Sequence, residues 1–228
     1  MGEKWNTPLA REAGVRATTA KDMFPRLYAI IDPDLLPGAG DQSARVAAFA
    51  RELVRGGATL IQYRNKAGSG RQMLTDAREL RRALNSEIRL IMNDRADLCL
   101  AAGFDGVHVG QDDLAPESAR LIVGDALWVG VSTHSVEQAI AADKTSADYI
   151  AIGPVFATTS KEKPDPVIGL EGVRAVRAAT RKPLVAIGGI TRSNCASVIE
   201  AGADSVAVIS DLVHDPAKSV AAFLRVLR

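Results

Sequence analysis

Eight short apolar runs, each four or five residues long, recur along this chain with a helix-like stretch between most of them. They lie at 27–31, 59–63, 89–92, 106–109, 128–131, 149–152, 184–187 and 205–209. Most are rich in Val, Ile and Leu without strict polar alternation, the pattern of strands covered on both faces. The intervening segment 44–55 carries Val46, Phe49, Ala50, Leu53 and Val54 at helical spacing, and 135–143, 170–180 and 193–201 read the same way. Parallel strands need crossover connections, and eight strand-plus-helix units of roughly 25 residues predict a closed (β/α)8 TIM barrel, an α/β fold. An open doubly wound sheet is the alternative, but no Gly-x-Gly-x-x-Gly follows the first run. The 228 residues suit one such barrel, and no linker divides them. The expected organisation is a loosely ordered extension over 1–24 and a single barrel domain over 25–228.

The balance of residues narrows the partners. A net charge of +1 offers no surface of one sign for nucleic acid or membrane, and 4% aromatics is too few for a base-stacking platform. Cys99 and Cys195 show no Cys-x-x-Cys spacing and read as buried small hydrophobes. No apolar stretch reaches the roughly 18 residues of a membrane span, and the first 24 residues lack the apolar core of a signal peptide. The expectation is a cytoplasmic enzyme or binding protein acting on small molecules, with homo-oligomer formation left open.

In this kind of barrel, active-site residues stand at the C-terminal ends of the strands. After 59–63 the chain reads Gln62-Tyr63-Arg64-Asn65-Lys66, and alternation puts Gln62, Arg64 and Lys66 on one face. An amide can read a heterocycle, and Arg64 and Lys66 can grip a polyanion. Asn93-Asp94-Arg95 and His108-Val109-Gly110-Gln111-Asp112-Asp113 follow the next two runs. Asp94 and Asp113 suit Mg²⁺, which takes oxygen ligands and keeps water and substrate phosphate in its shell. The alternatives are a helix N-cap or an ion pair with Arg95 for Asp94, and a helix N-cap for Asp113. Ser132-Thr133-His134 offers a donor in Ser132 and a base in His134, or caps for the next helix. His108 reads as a satisfied core histidine. The run Gly153 to Lys161 packs Thr158, Thr159, Ser160 and Lys161 beyond the 149–152 strand. Gly188-Gly189 and Ile209-Ser210 close the last two strands, and those loops are the usual phosphate site of the fold. Two separable anion sites are therefore expected, where a monophosphate ligand needs only one.

Across 27–228 the chain resembles the thiamine phosphate synthase family. The matching motifs are Leu-Tyr-Ala-Ile-x-Asp (27–32), Gln-x-Arg-x-Lys (62–66), Asn-Asp-Arg-x-Asp (93–97) and Val-His-Val-Gly-Gln-x-Asp (107–113). Gly-Val-Ser-x-His (130–134), Gly-Pro-Val-Phe-x-Thr-x-Ser-Lys (153–161) and Gly-Gly-Ile (188–190) continue the series. The resemblance implies a TIM barrel that condenses a pyrimidine diphosphate with a thiazole phosphate to thiamine phosphate and pyrophosphate. It implies that Gln62, Tyr63, Arg64, Asn65, Lys66, Asn93, Ser132 and Lys161 bind the first substrate, with Arg64, Lys66, Lys161 and Ser132 catalytic. Asp94 and Asp113 would ligate Mg²⁺. Thr158, Thr159, Ser160, Gly189, Ile209 and Ser210 would receive the thiazole phosphate. Asn65 stands where many relatives carry Glu, Ala157 where Pro is usual and Ser160 where Thr is usual. None of the three removes a positive charge. A thiazole tautomerase of the same barrel type, for which His134 would be the base, and a non-catalytic phosphate-ligand binder are the rivals.

Overall fold

A computed structural model describes residues 24–158 and 165–228. Eight parallel strands close into a barrel in chain order: β1 (Leu27–Ile31), β2 (Leu60–Tyr63), β3 (Arg89–Asn93), β4 (Gly106–Val109), β5 (Trp128–Thr133), β6 (Tyr149–Ile152), β7 (Leu184–Ile187) and β8 (Ser205–Val208). The helices α1 (Gln42–Arg55), α2 (Gly70–Ala83), α3 (Ala96–Ala102), α4 (Pro116–Val123), α5 (Val136–Asp143), α6 (Gly169–Ala179), α7 (Cys195–Glu200) and α8 (Pro216–Val226) follow their strands in turn. The main departure from the sequence expectation is β5, which runs on to Thr133 because Ser132 and Thr133 pair with Ala151 and Ile152 of β6.

Strand alternation sorts side chains into two apolar clusters. Ile31, Ile61, Met92, Val107 and Val131 face the helices. Tyr28, Ile30, Leu60, Ile91, Tyr149, Ala151, Val185 and Ala207 fill the barrel. Phe24 closes the barrel floor, with its ring stacked 5.2 Å from that of Trp128, over which the Arg89 guanidinium lies at 3.5 Å. The expected extension therefore stops short of Phe24, which is 8% exposed and belongs to the interior. The other 23 residues of that expected segment lie outside the described residues.

The N-terminal face repeats one device three times. Asp105 accepts from Leu90 N (2.8 Å) and Arg81. Asp148 accepts from Val129 N (2.7 Å) and Arg120, and Asp204 from Leu184 N (2.8 Å) and Arg177. Each arginine also donates to carbonyls in the loop after its own helix, Arg81 to Asn85 and Ile88 for example. An aspartate before one strand thus fixes the preceding strand and helix together. This repeated bracing serves stability; the opposite face is where chemistry belongs.

Candidate active site

The C-terminal ends of β1 to β4 bring together charged groups from separate turns. Alternation carries Tyr28 and Ile30 inward, and Asp32 follows them to the mouth, where it pairs with Arg64. The pair leaves most of the guanidinium's five donors available. Lys66 pairs with Asp94, whose backbone stands at φ 61°, a left-handed conformation that only short polar residues tolerate among non-glycines. Asp94 N donates to His108 O at 2.8 Å, which ties the residue to β4. Burial holds the Asp94 carboxyl above the usual carboxylate range; Lys66 opposes this, and the neighbouring Asp113 carboxyl adds to it. Asp113 also accepts from Gly110 N at 2.9 Å.

These contacts remove the capping alternatives. α3 has Arg95 as its N-cap residue, without a side-chain bond, and Arg95 pairs with Asp97 instead of Asp94. α4 starts behind Ala115, so Asp113 closes a loop and caps no helix. Among the described residues no group of three or more acidic, His or Cys side chains is set for a metal. Two facing carboxylates nevertheless fit Mg²⁺, which commonly takes one or two from the protein and the rest from water and phosphate. A dication would offset both the burial and the neighbouring Asp113 carboxyl that hold Asp94 up.

Not every member of the 62–66 segment faces the mouth. Gln62 points into the barrel and donates to Tyr28 Oη at 2.8 Å. Tyr63 points out to the helix layer, where its hydroxyl donates to Asp76 at 2.6 Å. Asn65 turns the same way, donating to Tyr63 Oη at 3.1 Å and accepting from Gly68 N at 2.7 Å. The Tyr63 and Asn65 side chains are therefore buttresses behind Arg64 and Lys66, because strand alternation sends odd positions outward. Asp76, fully buried on α2, gathers Tyr63, Gln42 (2.7 Å), Ser43 (2.7 Å) and Gln72 (2.8 Å). Nothing in the local sequence around Asp76 distinguishes it from a surface acid.

Asn93 is nearly buried at the end of β3. Ser132 stands half-buried at the end of β5, and its Oγ lies 2.8 Å from His108 Nε2. His108 is buried, its Nδ1 lies 3.0 Å from Tyr149 Oη, and burial pulls its pKa down to about 4. His134 Nδ1 donates to Gly153 O at 2.7 Å and lies 3.5 Å from Asp165, so this imidazole links the β5 and β6 turns.

Across the mouth, the turn after β6 lies along the end of β7 through Val155 N to Ile187 O (2.9 Å) and Phe156 N to Gly188 O (3.0 Å). Gly188 and Gly189 take φ 98° and 63°. A Cβ on Gly189 would lie 2.5 Å from Ala157 O, so the two turns can meet only at glycine. Asn194 braces the turn through Gly189 O at 3.0 Å, and Arg192 pairs with Asp211 at 3.0 Å. Ile209 leads into a short 3-10 turn that opens with exposed Ser210. Thr158, half-buried, ends the described part of its loop; Thr159, Ser160 and Lys161 lie outside the described residues.

Fold and site together define a (β/α)8-barrel protein whose mouth has two polar poles: carboxylates and cations at β1 to β4, and a glycine turn with hydroxyls at β6 to β8. A family model described as thiamine monophosphate synthase matches residues 27–212. The chain is 63% identical over 204 residues to the thiamine-phosphate synthase of Koribacter versatilis, a match covering 90% of this chain and 96% of that one. It is 45% identical to that of Chloroflexus aurantiacus, over 89% of this chain and 91% of the relative. Thiamine phosphate pyrophosphorylase from Pyrococcus furiosus superposes with a TM-score of 0.78 at 35% identity, covering 89% and 95% of the two chains. The chain belongs to the thiamine monophosphate synthase family and is an enzyme.

Proposed function

We propose that this enzyme condenses 4-amino-2-methyl-5-(diphosphooxymethyl)pyrimidine with 4-methyl-5-(2-phosphoethyl)thiazole, or its carboxylated form, to give thiamine phosphate and pyrophosphate. The observation that carries the reading is the two-pole mouth, since a diphosphate and a separate monophosphate need two anion sites facing one another. Gln62, Arg64, Lys66, Asn93, Ser132 and Lys161 hold the pyrimidine diphosphate, with Tyr63 and Asn65 stiffening the segment from behind. Thr158, Thr159, Ser160, Gly189, Ile209 and Ser210 receive the thiazole phosphate. Asp94 and Asp113 would hold Mg²⁺, which when bound neutralises charge on the departing diphosphate.

No nucleophile–base pair is required. Departure of the diphosphate leaves a pyrimidinylmethyl cation, stabilised by the electron-rich aminopyrimidine, and the thiazole nitrogen attacks that carbon. Arg64, Lys66 and Lys161 stabilise the leaving charge, and the barrel holds the two rings in register. A diphosphate grip has no use in a thiazole tautomerase. Pyrophosphate release measured with both substrates tests the reading, together with Lys66→Ala and Lys161→Ala. Each substitution is expected to lower turnover by ~10²–10³. Absence of release with both substrates present, or near-full turnover in both variants, would overturn it.

A further inference from the structure

Beneath the mouth, five polar side chains from five strands cross the barrel in one unbroken line. Gln62 Nε2 is 2.8 Å from Tyr28 Oη, and Tyr28 Oη is 3.0 Å from Tyr149 Oη. Tyr149 Oη is 3.0 Å from His108 Nδ1, and His108 Nε2 is 2.8 Å from Ser132 Oγ. Interiors of such barrels are ordinarily filled by branched aliphatic side chains, so packing alone does not ask for these groups.

The directions of the four bonds are linked. The Gln62 amide nitrogen can only donate, so Tyr28 Oη accepts from it. Tyr28 is buried and its hydroxyl has no partner besides Gln62 and Tyr149 among the described residues, so its single proton finds an acceptor only in Tyr149; the Tyr149 proton is thereby left to His108 Nδ1. An imidazole that accepts at Nδ1 and is neutral carries its proton on Nε2. With Nδ1 taken up as the acceptor of the Tyr149 proton, the ring has only Nε2 left to carry its own proton. Nε2–H therefore donates to Ser132 Oγ, occupying one lone pair on the buried side. The hydroxyl proton of Ser132 is left to the mouth.

We infer that His108, Tyr149 and Tyr28 are positioning residues that commit the Ser132 hydroxyl to donate toward bound substrate. The inference rests on the reading of Ser132 as a ligand of the pyrimidine diphosphate. A serine left to itself offers a proton or a lone pair with equal ease; this one is set for an acceptor atom before substrate arrives. All three positioning groups are buried beneath the mouth, and their effect passes through Ser132.

Two measurements test it. The first is ¹⁵N NMR of the imidazoles in the free protein, with the His108 signals assigned by their loss in His108→Gln. The expected spectrum has His108 protonated at Nε2 and bare at Nδ1; a proton on Nδ1 would overturn the inference whatever the enzyme's substrates prove to be. The second is a double-mutant cycle on kcat/KM. Tyr149→Phe should lower it about 5–10-fold in the wild type and less than about 2-fold in Ser132→Ala, while its effect on melting temperature is the same in both. His108→Gln, whose amide can donate from the Nε2 position, should keep more activity than His108→Ala. Equal kinetic losses in the two backgrounds would mean a purely structural role. Failure of the wild type to form thiamine phosphate would instead remove the functional reading and leave the NMR result standing.

Discussion

Gly130 lies in β5 directly beneath the Tyr149 ring, and its lack of a side chain is what lets that ring cross the barrel. A methyl group at this position would sit 2.5 Å from Tyr149 Cε1 and closer still to Cζ and Oη. Carbon atoms rest about 3.5–4.0 Å apart and the methyl would lie 2.0 Å from Cζ, so the ring would have to retreat by about 1.5–2 Å. It is held on its other sides by Phe24 at 5.1 Å and His108 at 5.4 Å between centroids. Retreat would also stretch both hydrogen bonds of the hydroxyl, each 3.0 Å long. Overpacking a core costs about 1–3 kcal/mol, and a buried polar group left unsatisfied costs about 1–3 kcal/mol more. Backbone preference works the other way, favouring alanine over glycine in a strand by about 0.5–1 kcal/mol. Gly130→Ala is therefore expected to lose about 3 kcal/mol, a large part of the roughly 5–15 kcal/mol that holds a domain folded. Urea denaturation followed by circular dichroism measures it. The same substitution in Tyr149→Leu, whose side chain ends short of Cζ and Oη, should cost less than about 1 kcal/mol. A loss below about 0.5 kcal/mol in the wild type, or equal losses in both backgrounds, would refute the clash.

Three further outcomes are expected. Asp76→Asn turns an acceptor of four donors into a group that clashes with one of them, at about 2–3 kcal/mol; denaturation checks the loss, and KM should rise for the pyrimidine diphosphate more than for the thiazole phosphate. His108 has a folded pKa of about 4, below the ordinary value of 6.5, so below pH 6.5 the unfolded chain takes up a proton that the folded one refuses. Stability is complete above that value and falls by about 2 kcal/mol by pH 5, and His108→Gln should flatten this stretch of the stability–pH curve. Asp94→Gly relieves a left-handed aspartate, so its melting temperature should not fall, while the magnesium needed for half-maximal turnover should rise at least about tenfold; a melting temperature lowered with unchanged magnesium dependence would make Asp94 structural.

The barrel was legible because a strand covered on both faces leaves an apolar run that helices do not imitate, and eight such runs admit little else. Ends were less so: Ser132 and Thr133 look like a turn, yet edge pairing with β6 draws them into β5. At the mouth, the rule that polar residues follow strands found Arg64, Lys66, Asp94 and Asp113, but a motif read as a contiguous string hides its parity. Tyr63 and Asn65 sit in the motif and face away from the mouth, whereas Asp32, two positions beyond Ile30 on the inward face, meets Arg64. Asp32 also accepts from Asp34 N at 3.2 Å, so its sequence setting is that of an ordinary cap. The line through Tyr28, Tyr149 and His108 was out of reach, because Tyr28 and Tyr149 are 121 residues apart and only barrel closure brings them together.

Phe24 enters the barrel floor beside Trp128, and Pro25, Arg26, Leu227 and Arg228 share one shallow hollow on that same face. Both ends of the described fold therefore emerge opposite the mouth. An affinity handle, a surface tether or a fused second enzyme joined directly at Phe24 or at Arg228 would start from the floor and leave substrate entry unobstructed, and tethering through the floor would present every molecule of a monolayer mouth outward.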